Sequence, residues 1–181
     1  MRGTVRDKNN FSKLEPLRDA FGDFFNEIEL VEADLLNDVS LSAAIEGSTY
    51  VVHVASPCFM GDDESQLITP AVEGTLSVMR ACKDNRVKRC VITSSCASIL
   101  YRERPAGLYD ETHWSDPNFP DISVYAKSKV LAEKAAWDFL ASLPEAEKFE
   151  LVTILPGFVL GPSLRLEPSS SLDFCKNALT G

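Results

Sequence analysis

The sequence contains no apolar run long enough to cross a bilayer: its longest apolar stretches, such as Leu151 to Leu160, are broken by Pro156 and Gly157 and fall well short of the roughly 20 residues a spanning helix needs. A membrane is therefore not an expected partner. Positive charge is also scarce. With 18 Lys plus Arg against 27 Asp plus Glu the net charge is −9, and basic residues gather only in short clusters such as Lys88-Arg89. Such a surface repels polyphosphates, so nucleic acid is not an expected partner either. The five cysteines (58, 82, 90, 96 and 175) form no C-x-x-C or His-spaced ligand pattern. Neither a metal site nor a disulfide framework is expected, and reduced cytosolic thiols are the plain reading. Met1 to Lys8 is charged and has no apolar h-region, so a secretory signal is not expected and the location is predicted to be cytoplasmic. There is no internal repeat and no low-complexity tract; Ser169-Ser170-Ser171 reads as a loop and helix cap.

What remains is an ordinary globular chain, 45% apolar and 25% charged over 181 residues, the size of one domain. Short β-branched runs predict strands at Gly3–Val5, Ile28–Val31, Tyr50–Val54, Arg89–Thr93 and Leu151–Leu155. Helical spacing predicts helices near Lys13–Phe21, Val39–Ile45, Thr69–Asn85 and Val124–Leu143. In the third helix Val72, Leu76 and Met79 recur at i, i+4 and i+7, the spacing of a buried face. This βαβα rhythm predicts an α/β fold with a parallel sheet covered by helices. Residues 101–123 break it with Pro105, Gly107, Pro117 and Pro120, and read as one long loop. Loops of this length in compact domains are functional or disordered.

The loop leads into Tyr125-Ala126-Lys127-Ser128-Lys129, which places a tyrosine and a lysine one turn apart on one helix face. An ammonium that close favours the phenolate and brings the phenol toward proton exchange at neutral pH. Y-x-x-x-K also occurs by chance on helix surfaces, but here it has company. Upstream, Val91-Ile92-Thr93-Ser94-Ser95 is an apolar strand ending in hydroxyls. The carboxyl ends of parallel strands are where such folds keep their sites, and a serine there can hydrogen-bond a substrate carbonyl.

These segments resemble the extended short-chain dehydrogenase/reductases, and within them the branch of dihydroflavonol and cinnamoyl-CoA reductases. The resemblance runs over nearly the whole chain in the family's order and implies a doubly wound, Rossmann-like parallel sheet. Gly3-Thr4-Val5-Arg6-Asp7 is similar to the end of the family's second strand, where Arg6 pairs with a ribose 2′-phosphate and Lys13 adds a second phosphate contact. Ala33-Asp34-Leu35 resembles the adenine-contacting turn, which puts Asp34 and Leu35 on the cofactor. Val52-His53-Val54-Ala55-Ser56-Pro57 looks like the segment passing beneath the cofactor, with Val54, Ala55 and Ser56 as contacts. Leu155 to Pro162 looks like the nicotinamide-side turn, with Pro156 and Val159 as contacts. Ser95, Tyr125 and Lys129 match the catalytic residues. The resemblance implies that Tyr125 protonates a carbonyl oxygen while hydride reaches its carbon, that Lys129 also bonds the nicotinamide ribose, and that Ser95, with Ser94 as its weaker alternative, steadies the developing charge.

Each reading has a plainer counterpart. Arg6 could be a solvated strand-end cation, and Asp7 beside it could read a free ribose 2′-OH, which leaves NAD as the alternative to NADP, the expected cofactor of this carbonyl reductase. Asp34 with Asp38 could be a turn and helix cap. His53 reads as a satisfied core histidine, Cys96 as inert, and Trp114 and Trp137 as packing residues. The family's opening strand, glycine-rich turn and helix are not represented among the nine glycines, and the family continues beyond the length seen here. The chain is thus expected to be a partial NAD(P)-binding domain over residues 1–181, cut at both ends and inactive alone. Leu100 stands where plant dihydroflavonol reductases carry a flavonoid-bonding Asn, which points the expected substrate toward other small aldehydes or ketones. A nucleotide-sugar epimerase or dehydratase and a non-catalytic fragment are the alternatives. Nothing in the sequence specifies an oligomeric state.

Overall fold

The computed structural model describes residues 1–57, 63–103, 108–162 and 170–180. Its elements follow the chain as β1 (Arg2–Val5), α1 (Phe11–Phe21), β2 (Glu29–Glu32), α2 (Asp38–Ile45), β3 (Tyr50–His53), α3 (Glu64–Asp84), β4 (Arg89–Thr93), the one-turn α4 (Ala97–Leu100), α5 (Val124–Ser142), β5 (Glu150–Ile154) and α6 (Ser170–Thr180). Every strand pair is parallel, as helical crossovers require. The strands form two sheets rather than one. β1 pairs with β2, with Gly3 opposite Leu30, while β3, β4 and β5 pair in that order with Val52, Val91 and Val152 in line. Among the described residues no strand joins β1 to β3, which is where the doubly wound order 3-2-1-4-5-6 has its first strand.

Side-chain alternation decides which face is covered. His53, Cys90, Ile92 and Leu151 point into a core shared with Leu41 and Ile45 of α2, Val78, Met79 and Cys82 of α3, and Ala136 of α5. Their neighbours Val52, Val54, Val152 and Ile154 face solvent on the other side. The first turns of α2, α3 and α5 are capped by side chains: Asn37 accepts from Ser40 N–H (3.0 Å), Asp63 from Ser65 N–H (2.9 Å) and Ser123 from Ala126 N–H (3.1 Å). The cap of α2 is therefore Asn37, and Asp38 instead lies 3.6 Å from Arg80.

Several expectations are corrected. α3 begins at Glu64, ahead of Pro70, and its buried face runs through Leu67, Ala71, Thr75, Val78, Met79 and Cys82. Val72 and Leu76 are only partly buried. That face mixes the small Ala71, Gly74, Thr75 and Ser77 with Leu67, Val78 and Met79, and α3 lies directly against α5, itself lined by Ala126, Ser128, Ala132 and Ala136. Ser170 and Ser171 begin α6, while Ser169 lies outside the described residues, as do Cys58, Pro105 and Gly107. The described residues of the 101–123 loop have no regular element, yet they are pinned. Ser115 is buried, its N–H donates to Ser98 C=O (2.7 Å), its hydroxyl to Ala97 C=O (2.7 Å), and it accepts from Tyr101 N–H (2.8 Å).

Candidate active site

The carboxyl end of β4 gathers one group of the expected residues. Lys129, 7% exposed, reaches back from α5 so that its Nζ lies 3.5 Å from the Thr93 carbonyl and 5.8 Å from the centre of the Tyr125 ring. It lines a small crevice with His53, Ala55, Ser56, Thr75, Ile92, Thr93, Ser94 and Glu133. The turn after β5 closes on the same strand end: Ser94 N–H donates to Ile154 C=O (2.8 Å) and Cys96 N–H to Pro156 C=O (3.0 Å).

The two adjacent serines have different partners. Ser94 Oγ donates to the carboxylate of the buried Glu133 and lies 2.9 Å from Ser98 Oγ. Ser95 Oγ accepts from Ala97 N–H at 3.2 Å, opening the single turn of α4, and this leaves its own O–H to donate. His53 is buried, with Nε2 3.4 Å from Thr75 Oγ1. Burial first, and the nearby Lys129 charge second, lower its pKa to about 4, so the ring is neutral at pH 7. Trp137 packs on the core, and Trp114 lies under the Lys134 ammonium at 5.4 Å.

A second group sits on the other sheet. Arg6, Asp7, Asn10 and Lys13 line a cleft of about 470 Å³ at the end of β1, floored by Val5, Leu14 and Leu17. Asp7 turns its carboxylate to its own turn, accepting from Asn9 N–H at 2.7 Å. Among the described residues neither Arg6 nor Lys13 takes part in an ion pair. The cleft thus presents two cations outside any described ion pair beside the Asp7 carboxylate, and the cations are donors that can meet an anion.

The remaining expected residues are dispersed. Asp34 Oδ1 accepts from Leu36 N–H at 2.9 Å, closing its own turn. Leu35 is taken up by packing: a Cβ on Gly74 of α3 would stand 3.1 Å from Leu35 Cβ. Val54 and Val159 are exposed beyond β3 and β5. The sequence reading passed over Glu133, although its spacing from Lys129 repeats the four-residue step from Tyr125 to Lys129.

Residues 7–170 match the model of the 3-beta hydroxysteroid dehydrogenase/isomerase family, and the chain belongs to that family. Along its whole length it is 39% identical to a dihydroflavonol 4-reductase of Hordeum vulgare, of which it spans 52%. Its fold is similar to that of vestitone reductase from Medicago sativa (TM-score 0.74, 29% identity, 95% of this chain and 53% of that one). It is likewise similar to yeast methylglyoxal/isovaleraldehyde reductase Gre2 complexed with NADPH (TM-score 0.78, 26% identity, 97% and 57%). The chain spans about half the length of each of these proteins.

Proposed function

We propose that the chain is the cofactor-binding and proton-handling part of an NADP-dependent carbonyl reductase. The observation that carries this reading is the placing of Lys129 between the Thr93 carbonyl and the Tyr125 ring, at the strand end that also bears Ser95. The family relationship and the NADPH complex of a structural neighbour support it.

The residues fit such a cofactor at its two ends. Arg6 and Lys13 would hold the 2′-phosphate, in a cleft where Asp7 accepts from Asn9 N–H. Asp34 and Leu35 would serve the adenine end, and Val54, Ala55, Ser56, Pro156 and Val159 the nicotinamide half. A bound nicotinamide supplies hydride to a carbonyl carbon. The protein's task is then the oxygen. Ser95 donates a hydrogen bond to it, and Tyr125 Oη gives it a proton as general acid. The Lys129 ammonium eases loss of that proton by favouring the phenolate, and it also meets the nicotinamide ribose. Leu100, half-exposed at the end of α4, offers only apolar contact, which suits an aldehyde or ketone without a hydroxyl to be read there.

The test is NADPH oxidation followed at 340 nm with a panel of aldehydes and ketones, using a full-length form that contains this chain. Carbonyl-dependent oxidation supports the reading. Its absence across the panel, in a folded protein that binds NADPH, overturns it.

A further inference from the structure

Glu133 is 5% exposed, and it follows Lys129 on α5 by the same step that separates Lys129 from Tyr125. All three residues therefore share one helix face. A hydroxyl has one proton to give. Since Ser94 donates its proton to Glu133, the 2.9 Å contact between Ser94 and Ser98 must have Ser98 as donor. The hydrogen bonds run in one direction, from Ser98 to Ser94 to Glu133, and end on the carboxylate.

A buried carboxylate needs compensating charge as well as hydrogen bonds. The crevice around it receives His53 from β3, Thr75 from α3, Ser94 from the end of β4 and Lys129 from α5. His53 is neutral, for the reasons given above. Lys127, on another face of α5, is paired with Glu64 of α3 at 2.7 Å. Among the described residues Lys129 is therefore the cation that the crevice offers to Glu133.

We propose that Glu133 is a positioning residue of the site: it is the counter-charge of Lys129 and the anchor of Ser94. It reaches the chemistry only through those two side chains, and this inference rests on the reading of Tyr125 as proton donor with Lys129 as its partner. By drawing on the Lys129 charge, Glu133 limits how far the lysine favours the Tyr125 phenolate. By holding the Ser94 hydroxyl, it leaves Ser95 as the serine able to donate to a substrate oxygen.

The experiment is an NMR titration of the tyrosine phenols in the ¹³C-tyrosine-labelled 181-residue chain, with Tyr125→Phe identifying the Tyr125 resonance. Glu133→Gln keeps an acceptor for Ser94 and removes the charge; it is expected to lower the Tyr125 midpoint by about half to one pH unit. Ser94→Ala keeps the carboxylate and is expected to move it by less than about 0.2 unit. An unchanged midpoint in Glu133→Gln overturns the proposal. Should that variant not fold, Glu133→Asp keeps the charge and must leave the midpoint within about 0.3 unit of wild type; a shift of about a full unit would overturn the charge argument. Lys129→Met in the same titration tests the underlying reading separately, because that reading fails if the Tyr125 midpoint does not rise. None of these readouts requires turnover.

Discussion

The Lys129 ammonium lies 3.5 Å from the carbonyl oxygen of Thr93, so the helix that carries Tyr125 is fastened by a side chain to the strand end that carries Ser95. Replacing Lys129 with alanine removes that tie and the charge near the phenol together. In a full-length form Lys129→Ala is expected to lower kcat by about 10²-fold or more and to weaken NADPH binding as well. Steady-state kinetics with a separate NADPH titration checks both; a loss of kcat with unaltered NADPH affinity would remove the ribose contact from its role.

Tyr125→Phe deletes only the phenolic oxygen from a half-buried helix position. The expected outcome is a fall in kcat of about 10²–10⁴-fold with little change in NADPH affinity, the pattern of a lost general acid. Wild-type turnover in this variant would show that the proton comes from elsewhere.

Arg6 and Lys13 share the cleft at the end of β1, where Asp7 is bonded to its own turn. A full-length form should prefer NADPH to NADH in kcat/KM, and Arg6→Ala should narrow that preference by about tenfold or more, as expected for a charge-assisted phosphate contact. Comparison of the two cofactors in wild type and variant reads this directly.

The depressed pKa of His53 gives stability a pH dependence. An unfolded histidine takes up a proton near pH 6.5, whereas the folded one resists protonation until about pH 4. The unfolded state therefore binds more protons in this window. Stability is fully present above pH 6.5 and is lost as the pH falls toward 4, by roughly 3 kcal/mol in all. Urea unfolding at intervals between pH 7 and 5, where carboxylates titrate little, should show the decline, and His53→Asn should flatten it.

The 181-residue chain by itself is expected to bind NADPH weakly and to reduce no carbonyl. No strand joins its two sheets among the described residues, and its glycines show no G-x-G-x-x-G or G-x-x-G-x-x-G spacing. Calorimetric titration with NADPH is the check. Micromolar affinity together with turnover of any aldehyde or ketone would show that the two sheets suffice.

Much of this arrangement was legible in the residues. The strands announced themselves through β-branched runs, and Tyr125 and Lys129 through a spacing that only a helix brings together. Other features depended on tertiary partners. α4 is a single turn held by Ser95 and Ser115, too short to leave a periodic signal. The rotated face of α3 follows from its packing against α5 and Leu35, which buries Leu67, Ala71, Gly74, Val78 and Met79 and leaves Val72 and Leu76 partly exposed. Glu133 was passed over because a glutamate on an amphipathic helix ordinarily faces water, and only the path of β4 shows that this one meets Ser94. Arg6 and Asp7 read as rivals in sequence, and both line the cleft at the end of β1, where Asp7 accepts from Asn9 N–H.

The division of the strands into two sheets also changes how affinity for a long ligand is to be understood. A molecule touching Arg6 at one end and Lys129 at the other is a bivalent ligand, and its two half-sites are carried by different sheets. Its binding strength is then the product of two weak contacts and an effective concentration set by how rigidly one sheet is held against the other. Part of that rigidity comes from Arg2 on β1, whose guanidinium donates to the Ala44 and Glu46 carbonyls at the end of α2, at 2.9 and 2.8 Å. On the proposed reading, a residue outside the lining of either half-site would thereby contribute to avidity without touching the ligand.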